Sequence, residues 1–273
     1  MKRIFILFIS LLLLCGCTYD PTESKDVKKL EIFAFSIGKA DSILIKSDEA
    51  CILIDAGENG DGKTIVKKLT ECGVQKLDLL ILTHFDKDHI GGADKLIADF
   101  PIDRIVLPSY DKDSKQFSEL NDALTETDAE AIWLTEDEIK EYGELSVHLW
   151  VSPVPFDGKS DNDQSIITKI VHNGKAYLFL GDAEEAELRA LIFSGKNLTC
   201  EVLKLPHHGV YDPQLPALLA VTMPRFAIIC DSKKNPAEQS TLDALAFLDT
   251  TVLETKDGDV HLIAAANVLK IAE

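Results

Sequence analysis

Four side chains able to bind a divalent cation fall within six residues. They are His84, Asp86, Asp88 and His89, in the run Leu82-Thr83-His84-Phe85-Asp86-Lys87-Asp88-His89-Ile90-Gly91-Gly92. Histidine offers a neutral nitrogen and aspartate a charged oxygen, a donor mixture that suits divalent ions. Carboxylates packed this closely repel one another unless a cation or solvent compensates. One histidine and one aspartate would read as a solvated turn capping a helix. Four donors in this order, directly after an apolar strand, read as a metal site.

More donors follow downstream. Asp182 in Leu180-Gly181-Asp182 ends a strongly apolar run, where an unpaired carboxylate would be costly. Its alternative role is to cap a helix starting at Ala183. His207-His208-Gly209 follows a short apolar strand. His148, His172 and His261 are isolated, with no donor at ligand spacing, and read as structural. Asp41 and Asp55 end strands beside glycines. Asp55 is the better candidate to orient a ligand from behind.

These residues must be held by alternating strands and helices. Strands are expected at 30–37, 42–45, 50–54, 77–82 and 104–107, with helices at 63–70 and 90–100. The acidic stretch 114–142 reads as mostly helical. Strands follow at 145–151, 165–171 and 175–180. The last two flank Asn173-Gly174, a strong two-residue hairpin signal. Helices at 183–194 and 241–248 alternate with strands at 202–205, 226–230, 251–254 and 260–264. Early hairpins followed by strand–helix alternation imply an α/β fold with mixed sheets.

The N-terminus reads differently. Lys2 and Arg3 precede an apolar run, Ile4 to Leu14. It is too short for a membrane-spanning helix of roughly 20 residues and fits the core of a secretory signal. Leu14-Cys15-Gly16-Cys17 resembles a bacterial lipobox, with small Gly16 before the lipid-accepting Cys17. The expected organisation is a signal peptide at 1–16, a lipidated Cys17 with a polar tether at 17–29, and one folded domain at 30–273. Acyl chains on Cys17 would hold the protein on the extracytoplasmic face of a bacterial membrane.

The 273 residues carry 46 acidic and 28 basic side chains, a formal net charge of −18. Loss of Lys2 and Arg3 with the signal makes the chain more acidic still. That disfavours a duplex-coating nucleic-acid binder, but not a nuclease whose metal ions supply local positive charge. Cys51, Cys72, Cys200 and Cys230 show no metal-finger spacing and read as free thiols.

The His84–His89 run resembles the HxHxDH motif of the metallo-β-lactamase superfamily. It is closer still to the HxDxDH variant of the ComEC-type branch, linked to DNA uptake. The resemblance continues in order. Ile37-Gly38-Lys39-Ala40-Asp41-Ser42 is similar to the branch's opening turn, and Leu53-Ile54-Asp55-Ala56-Gly57 to its strand end. Asn162-Asp163-Gln164-Ser165 is similar to its NxxS element. Leu180-Gly181-Asp182 and Leu203-Lys204-Leu205-Pro206-His207-His208-Gly209 follow, and Thr255 with Gly258 loosely closes the set.

This resemblance implies a four-layered αββα sandwich with the site on loops at one edge. Carried over, His84 and Asp86 would bind one ion, Asp88 and His89 a second, and Asp182 would bridge both. His208 would complete the second site, with His207 touching substrate. Asp55 and Asn162 would support the ligands from behind. The implied cofactor is two divalent ions, Zn²⁺ or Mn²⁺, and the implied nucleophile a metal-activated hydroxide oriented by Asp88. The expected function is hydrolysis of a phosphodiester, either a small envelope molecule or single-stranded DNA.

Three departures from the branch stand out. Asp161-Asn162-Asp163 lies where the broad superfamily has a histidine. Val210-Tyr211 replaces the usual serine after HHG. Asn235-Pro236-Ala237-Glu238-Gln239 lacks the histidine of a late substrate loop, which leaves Asn235 as a candidate substrate contact. A lipoprotein with a decayed site that only binds a ligand or partner is the alternative these changes favour.

Overall fold

A computed structural model describes residues 28–156, 158, 160–265 and 268–272. The expected signal peptide, Cys17 and nearly all of the expected tether therefore lie outside the described residues.

Two mixed sheets face each other. The first contains β1 (Lys29–Ala34), β2 (Ile43–Ser47), β3 (Cys51–Ile54), β4 (Leu79–Ile81), β5 (Arg104–Pro108), β6 (Glu130–Leu134), β14 (Val260–Ala265) and β15 (Val268–Ile271). Its order is β15-β14-β1-β2-β3-β4-β5-β6. The second contains β7 (Glu138–Tyr142), β8 (Leu145–Trp150), β9 (Ile167–His172), β10 (Lys175–Phe179), β11 (Val202–Lys204), β12 (Phe226–Ile229) and β13 (Thr251–Glu254). Its order is β13-β12-β11-β10-β9-β8-β7. Each sheet has an antiparallel half and a parallel half. The parallel pairings are β3-β4-β5-β6 in one and β10-β11-β12-β13 in the other.

Period-two alternation builds the layers. Ile32, Ile45, Ile52, Ile54 and Ile81 point between the sheets, against Val147, Ile170, Tyr177 and Phe179. Their neighbours Leu44, Leu53, Leu80 and Ile105 point outward. They are covered by α1 (Gly62–Glu71), α3 (Ala93–Asp99) and α4 (Lys115–Glu126). On the far side Leu178, Leu203 and Ile229 lie under α5 (Glu185–Ile192), α6 (Leu215–Thr222) and α7 (Gln239–Ala246). Helices thus flank both sheets, in the expected αββα order. Each fully buried aliphatic side chain contributes about 1.5–3 kcal/mol relative to exposure.

Two expectations about elements are corrected. The 114–142 stretch is helical only in α4. It then forms β6 and β7, because Glu138-Ile139-Lys140-Glu141-Tyr142 alternates and pairs with β8, while β6 extends the parallel block beside β5. The helix expected at 90–100 is split into α2 (Lys87–Ile90) and α3. At the break, a Cβ on Gly91 would lie 2.3 Å from the Lys87 carbonyl. One on Gly92 would lie 2.3 Å from that of Ala56. This close approach brings the metal-motif turn onto the end of β3. The hairpin at Asn173-Gly174 forms as expected, with φ of 50° and 72°.

Cys51, Cys72, Cys200 and Cys230 are free thiols. No helix among the described residues is long and apolar enough to cross a membrane.

Candidate metal centre

The carboxyl ends of parallel strands leave a crevice in open α/β sheets. Here two parallel blocks end side by side. Asp55 follows β3, His84 and Asp86 follow β4, and Asp88 and His89 lie on α2. Asp182 follows β10, while His207 and His208 follow β11. A backbone hydrogen bond from Ile166 N to the Thr83 carbonyl, 2.9 Å, ties the two sheets together at this edge.

Asp88, His89, Asp182 and His208 form one cluster whose donor atoms all lie within 4.8 Å of one another. Asp182 Oδ2 is 3.2 Å from His89 Nε2 and 3.1 Å from His208 Nε2. Asp88 Oδ2 is 3.4 Å from His208 Nε2. The His84 ring lies beside that of His89, with centroids 4.1 Å apart and planes tilted by 49°.

The imidazoles are fixed from behind, and each fixing partner sets a tautomer. His208 Nδ1 donates to the Cys230 carbonyl at 2.9 Å, which can only accept. His89 Nδ1 meets Asp55 Oδ2 at 2.7 Å. Asp55 also accepts from Thr83 N and Thr83 Oγ1, both at 2.8 Å. That leaves the Thr83 oxygen to accept from His84 Nδ1 at 3.1 Å. With the rings neutral, all three Nε2 atoms are therefore bare. All three are buried and make no hydrogen bond, and Asp182 Oδ1 is likewise without one. Buried nitrogens that present only lone pairs, beside carboxylates, fit a divalent cation. Solvent cannot reach them to compensate.

The turns that aim these groups are strained. His207 and His208 have φ of 47° and 53°, and Asp55 has 63°. Non-glycine residues seldom occupy this region, and it is concentrated at functional sites. Gly181, just before Asp182, has φ of 53°. A Cβ there would lie 2.7 Å from Ser165 Oγ, the atom that accepts the Asp182 N–H at 3.1 Å.

Electrostatics follow from burial and proximity. Burial lowers the His84 pKa to about 3. For His208, burial by itself would lower the pKa, but Asp182 and then Asp88 raise it to about 9. His89 is raised in the same way by Asp182 and Asp55. Burial alone would raise Asp182, yet His208 and His89 hold it well below the usual range. In metal-free protein, protonated His208 is favoured by the fold. Its contribution to stability is complete below about pH 6.5 and is lost as pH rises through about 9. His84 stays neutral in the folded protein; in the unfolded chain it loses its proton around pH 6.5, and the small opposing slope this adds is spent within about one pH unit above that value. We expect the melting temperature of metal-free protein to fall between pH 6.5 and 9, whereas ion-saturated protein, whose ligating imidazoles stay neutral, should not. Parallel melting curves with and without chelator check this.

Two residues of the site, Lys204 and Glu184, had no signal of their own in the sequence. Lys204, 1% exposed, donates to the Gly181 carbonyl at 2.8 Å, contacts Asp41, and lies 3.6 Å from Asp182 Oδ1. It compensates carboxylates that would otherwise repel. His207 is partly exposed, and its Nδ1 lies 3.2 Å from Glu184 Oε1. That same oxygen accepts from Asn162 Nδ2 at 2.9 Å. Asn162 thus reaches His207 through Glu184. A cavity of about 180 Å³ opens beside His207, lined by Glu184, Glu185, Val210, Tyr211 and Asp212 among others.

Not every expected group converges. Asp86 lies apart from the four-residue cluster, in contact with Lys112, and its Oδ2 is 3.9 Å from His84 Nε2. Asn235 is exposed in a turn closed by hydrogen bonds with Ser232. His148, His172 and His261 make their contacts elsewhere, to Ser146, Glu49 and Glu31. A larger cavity of about 860 Å³ between α3 and α4 is lined by carboxylates, contains no histidine, and shares no residue with the cluster.

Residues 37–230 match the Metallo-beta-lactamase superfamily. The chain is similar to ComE operon protein 3 of Bacillus subtilis, 28% identical over 63% of this chain and 22% of that protein. It is also similar to competence protein ComA of Neisseria gonorrhoeae, 25% identical over 85% of this chain and 31% of that protein. The chain thus spans less than a third of the length of either relative. Among solved structures, the metallo-beta-lactamase fold protein YhfI from Bacillus subtilis superposes with a TM-score of 0.56 at 14% identity. That match covers 86% of this chain and 99% of YhfI.

Proposed function

The chain belongs to the metallo-β-lactamase superfamily, and from that premise we propose that it is an exported, lipid-anchored hydrolase that cleaves phosphodiesters at a divalent-metal centre. The observation that carries this reading is the convergence of Asp88, His89, Asp182 and His208, with buried, bare Nε2 atoms facing the carboxylates. The ions are Zn²⁺ or Mn²⁺. His84 and Asp86 lie beside this cluster.

When bound, a divalent ion supplies Lewis-acid polarisation and activation of water near neutral pH. The chain's own residues do the rest. Asp55, Thr83 and the Cys230 carbonyl hold the imidazoles in the required tautomer. Asp88 is partly exposed, with one carboxylate oxygen directed at His208. It is placed both to bind the ion and to orient the attacking water. His207, held by Glu184, borders the cavity and is positioned to touch substrate. Asp212 in the cavity wall has its pKa raised by burial and then by Glu185, Asp163 and Glu184, so the local field is negative. A long polyanion is disfavoured there. A small phosphodiester of the cell envelope, or a single-stranded end drawn in by the metal, suits the site better.

The test is a panel of chromogenic phosphodiester, lactone and amide substrates, with protein loaded with Zn²⁺ or Mn²⁺. Phosphodiester hydrolysis abolished by chelator supports the reading. If fully metal-loaded protein hydrolyses none of the panel, the ligand-binding lipoprotein takes its place. The anchor is tested separately. Cys17→Ser should move the protein from the membrane to the soluble extracytoplasmic fraction, and unchanged membrane retention would contradict lipidation.

A further inference from the structure

We propose that Lys112 permanently occupies the place of a first metal ion, so that the centre holds a single ion on Asp88, His89, Asp182 and His208. The lysine ammonium supplies the second positive charge. The inference rests on the reading of the four-residue cluster as a metal centre and goes beyond it.

Lys112 Nζ contacts Asp86 Oδ1 and lies 2.8 Å from both carboxylate oxygens of Asp161. Both carboxylates lie near His84. The other Asp86 oxygen is 3.9 Å from His84 Nε2, so ammonium and imidazole converge on one carboxylate from opposite sides. The lysine is also well held. Tyr110 OH donates to Asp161 Oδ2 at 2.8 Å and accepts from Phe85 N at 2.9 Å. The Tyr110 ring packs between Phe85 and Phe156, with centroids 4.7 and 4.6 Å away. Asp161 is thereby committed to Lys112 and Tyr110.

Charge explains the arrangement. Lys112 Nζ sits between Asp86 and Asp161 and compensates both carboxylates. A divalent ion placed on the same carboxylates would meet an ammonium at hydrogen-bond range from its ligands. Like charges a few ångströms apart in a half-buried site repel strongly. Neither His84 nor Asp86 joins the four donors that lie within 4.8 Å of one another.

The experiment counts ions. Protein is saturated with Zn²⁺, dialysed against a weak competing chelator, and analysed by native mass spectrometry. The wild type should retain one ion per chain, Lys112→Arg one, and Lys112→Met two, because the substitution releases Asp86 and Asp161 to join His84. Two tightly held ions in the wild type would overturn the proposal, as would one ion in folded Lys112→Met. Should Lys112→Met not fold, His84→Ala and His208→Ala decide the matter. The proposal requires that His84→Ala keep the wild-type count and His208→Ala lose the ion. A fall in ion count in His84→Ala would refute it. Ion counting is independent of turnover, so an inactive protein holding one ion leaves this inference standing while the phosphodiesterase reading fails. A wild type that binds no ion overturns both.

Discussion

Asp182→Ala is expected to empty the centre while leaving the fold in place. Asp182 Oδ2 is the common neighbour of His89 Nε2 and His208 Nε2, at 3.2 and 3.1 Å. Its other oxygen lies 3.6 Å from the Lys204 ammonium. Removing it leaves two imidazoles and a cation to bind each other's company without a shared counter-charge, and an arriving divalent ion would face Lys204 unscreened. Asp182→Asn keeps the volume and removes only the charge, which separates packing from electrostatics. Both variants should retain the far-ultraviolet circular dichroism of the wild type. Both should lose the tightly bound ion, with hydrolysis reduced on the order of a hundredfold or more. Full metal occupancy in Asp182→Ala would refute its assignment as the central ligand.

Asp88→Ala should reduce turnover more than it reduces stability. Asp88 is partly exposed on the single turn of α2, so little packing is lost. Burial alone would raise its pKa, but His208 and His89 hold the carboxyl below the usual range, and it stays ionised for its task. Without it the ion loses a ligand and the attacking water loses its acceptor. Those two losses together should again cost on the order of a hundredfold or more in kcat. Residual metal, measured on the same sample, should fall less than activity. His207→Ala should be milder and act mainly on KM, because His207 is held by Glu184 at the cavity rather than in the cluster. The reverse order of severity between His207→Ala and His208→Ala would exchange their roles.

The sequence made some of this visible because local chemistry and tertiary position coincide there. His84, Asp86, Asp88 and His89 are contiguous and follow a buried strand, so their shared destination shows in one short run. Asp182 ends an apolar strand, and Asn173-Gly174 dictates a hairpin by backbone preference alone. Other features depend on contacts between distant segments. Lys112 lies in a polar stretch with no spacing relation to Asp86 or Asp161. Lys204 was legible only as part of a motif, and its pairing with Asp41 across the sandwich was not. The left-handed backbone of His207 and His208 leaves no compositional trace, since histidine does not demand it as glycine would. β6 buries only Leu134, so its side chains carried no alternation to read. α6 is apolar around most of its circumference and gave no periodic stripe. In each case the missing information was the identity of the packing partner.

The central claim is that Asp88, His89, Asp182 and His208 bind a catalytic divalent ion. Anomalous diffraction from crystals of Zn²⁺-loaded protein, collected on both sides of the zinc edge, tests it most directly. The account predicts a strong anomalous peak at ligand distance from His89 Nε2, His208 Nε2 and the carboxylates of Asp88 and Asp182. A peak placed elsewhere, or none in protein shown by mass to carry zinc, would contradict it.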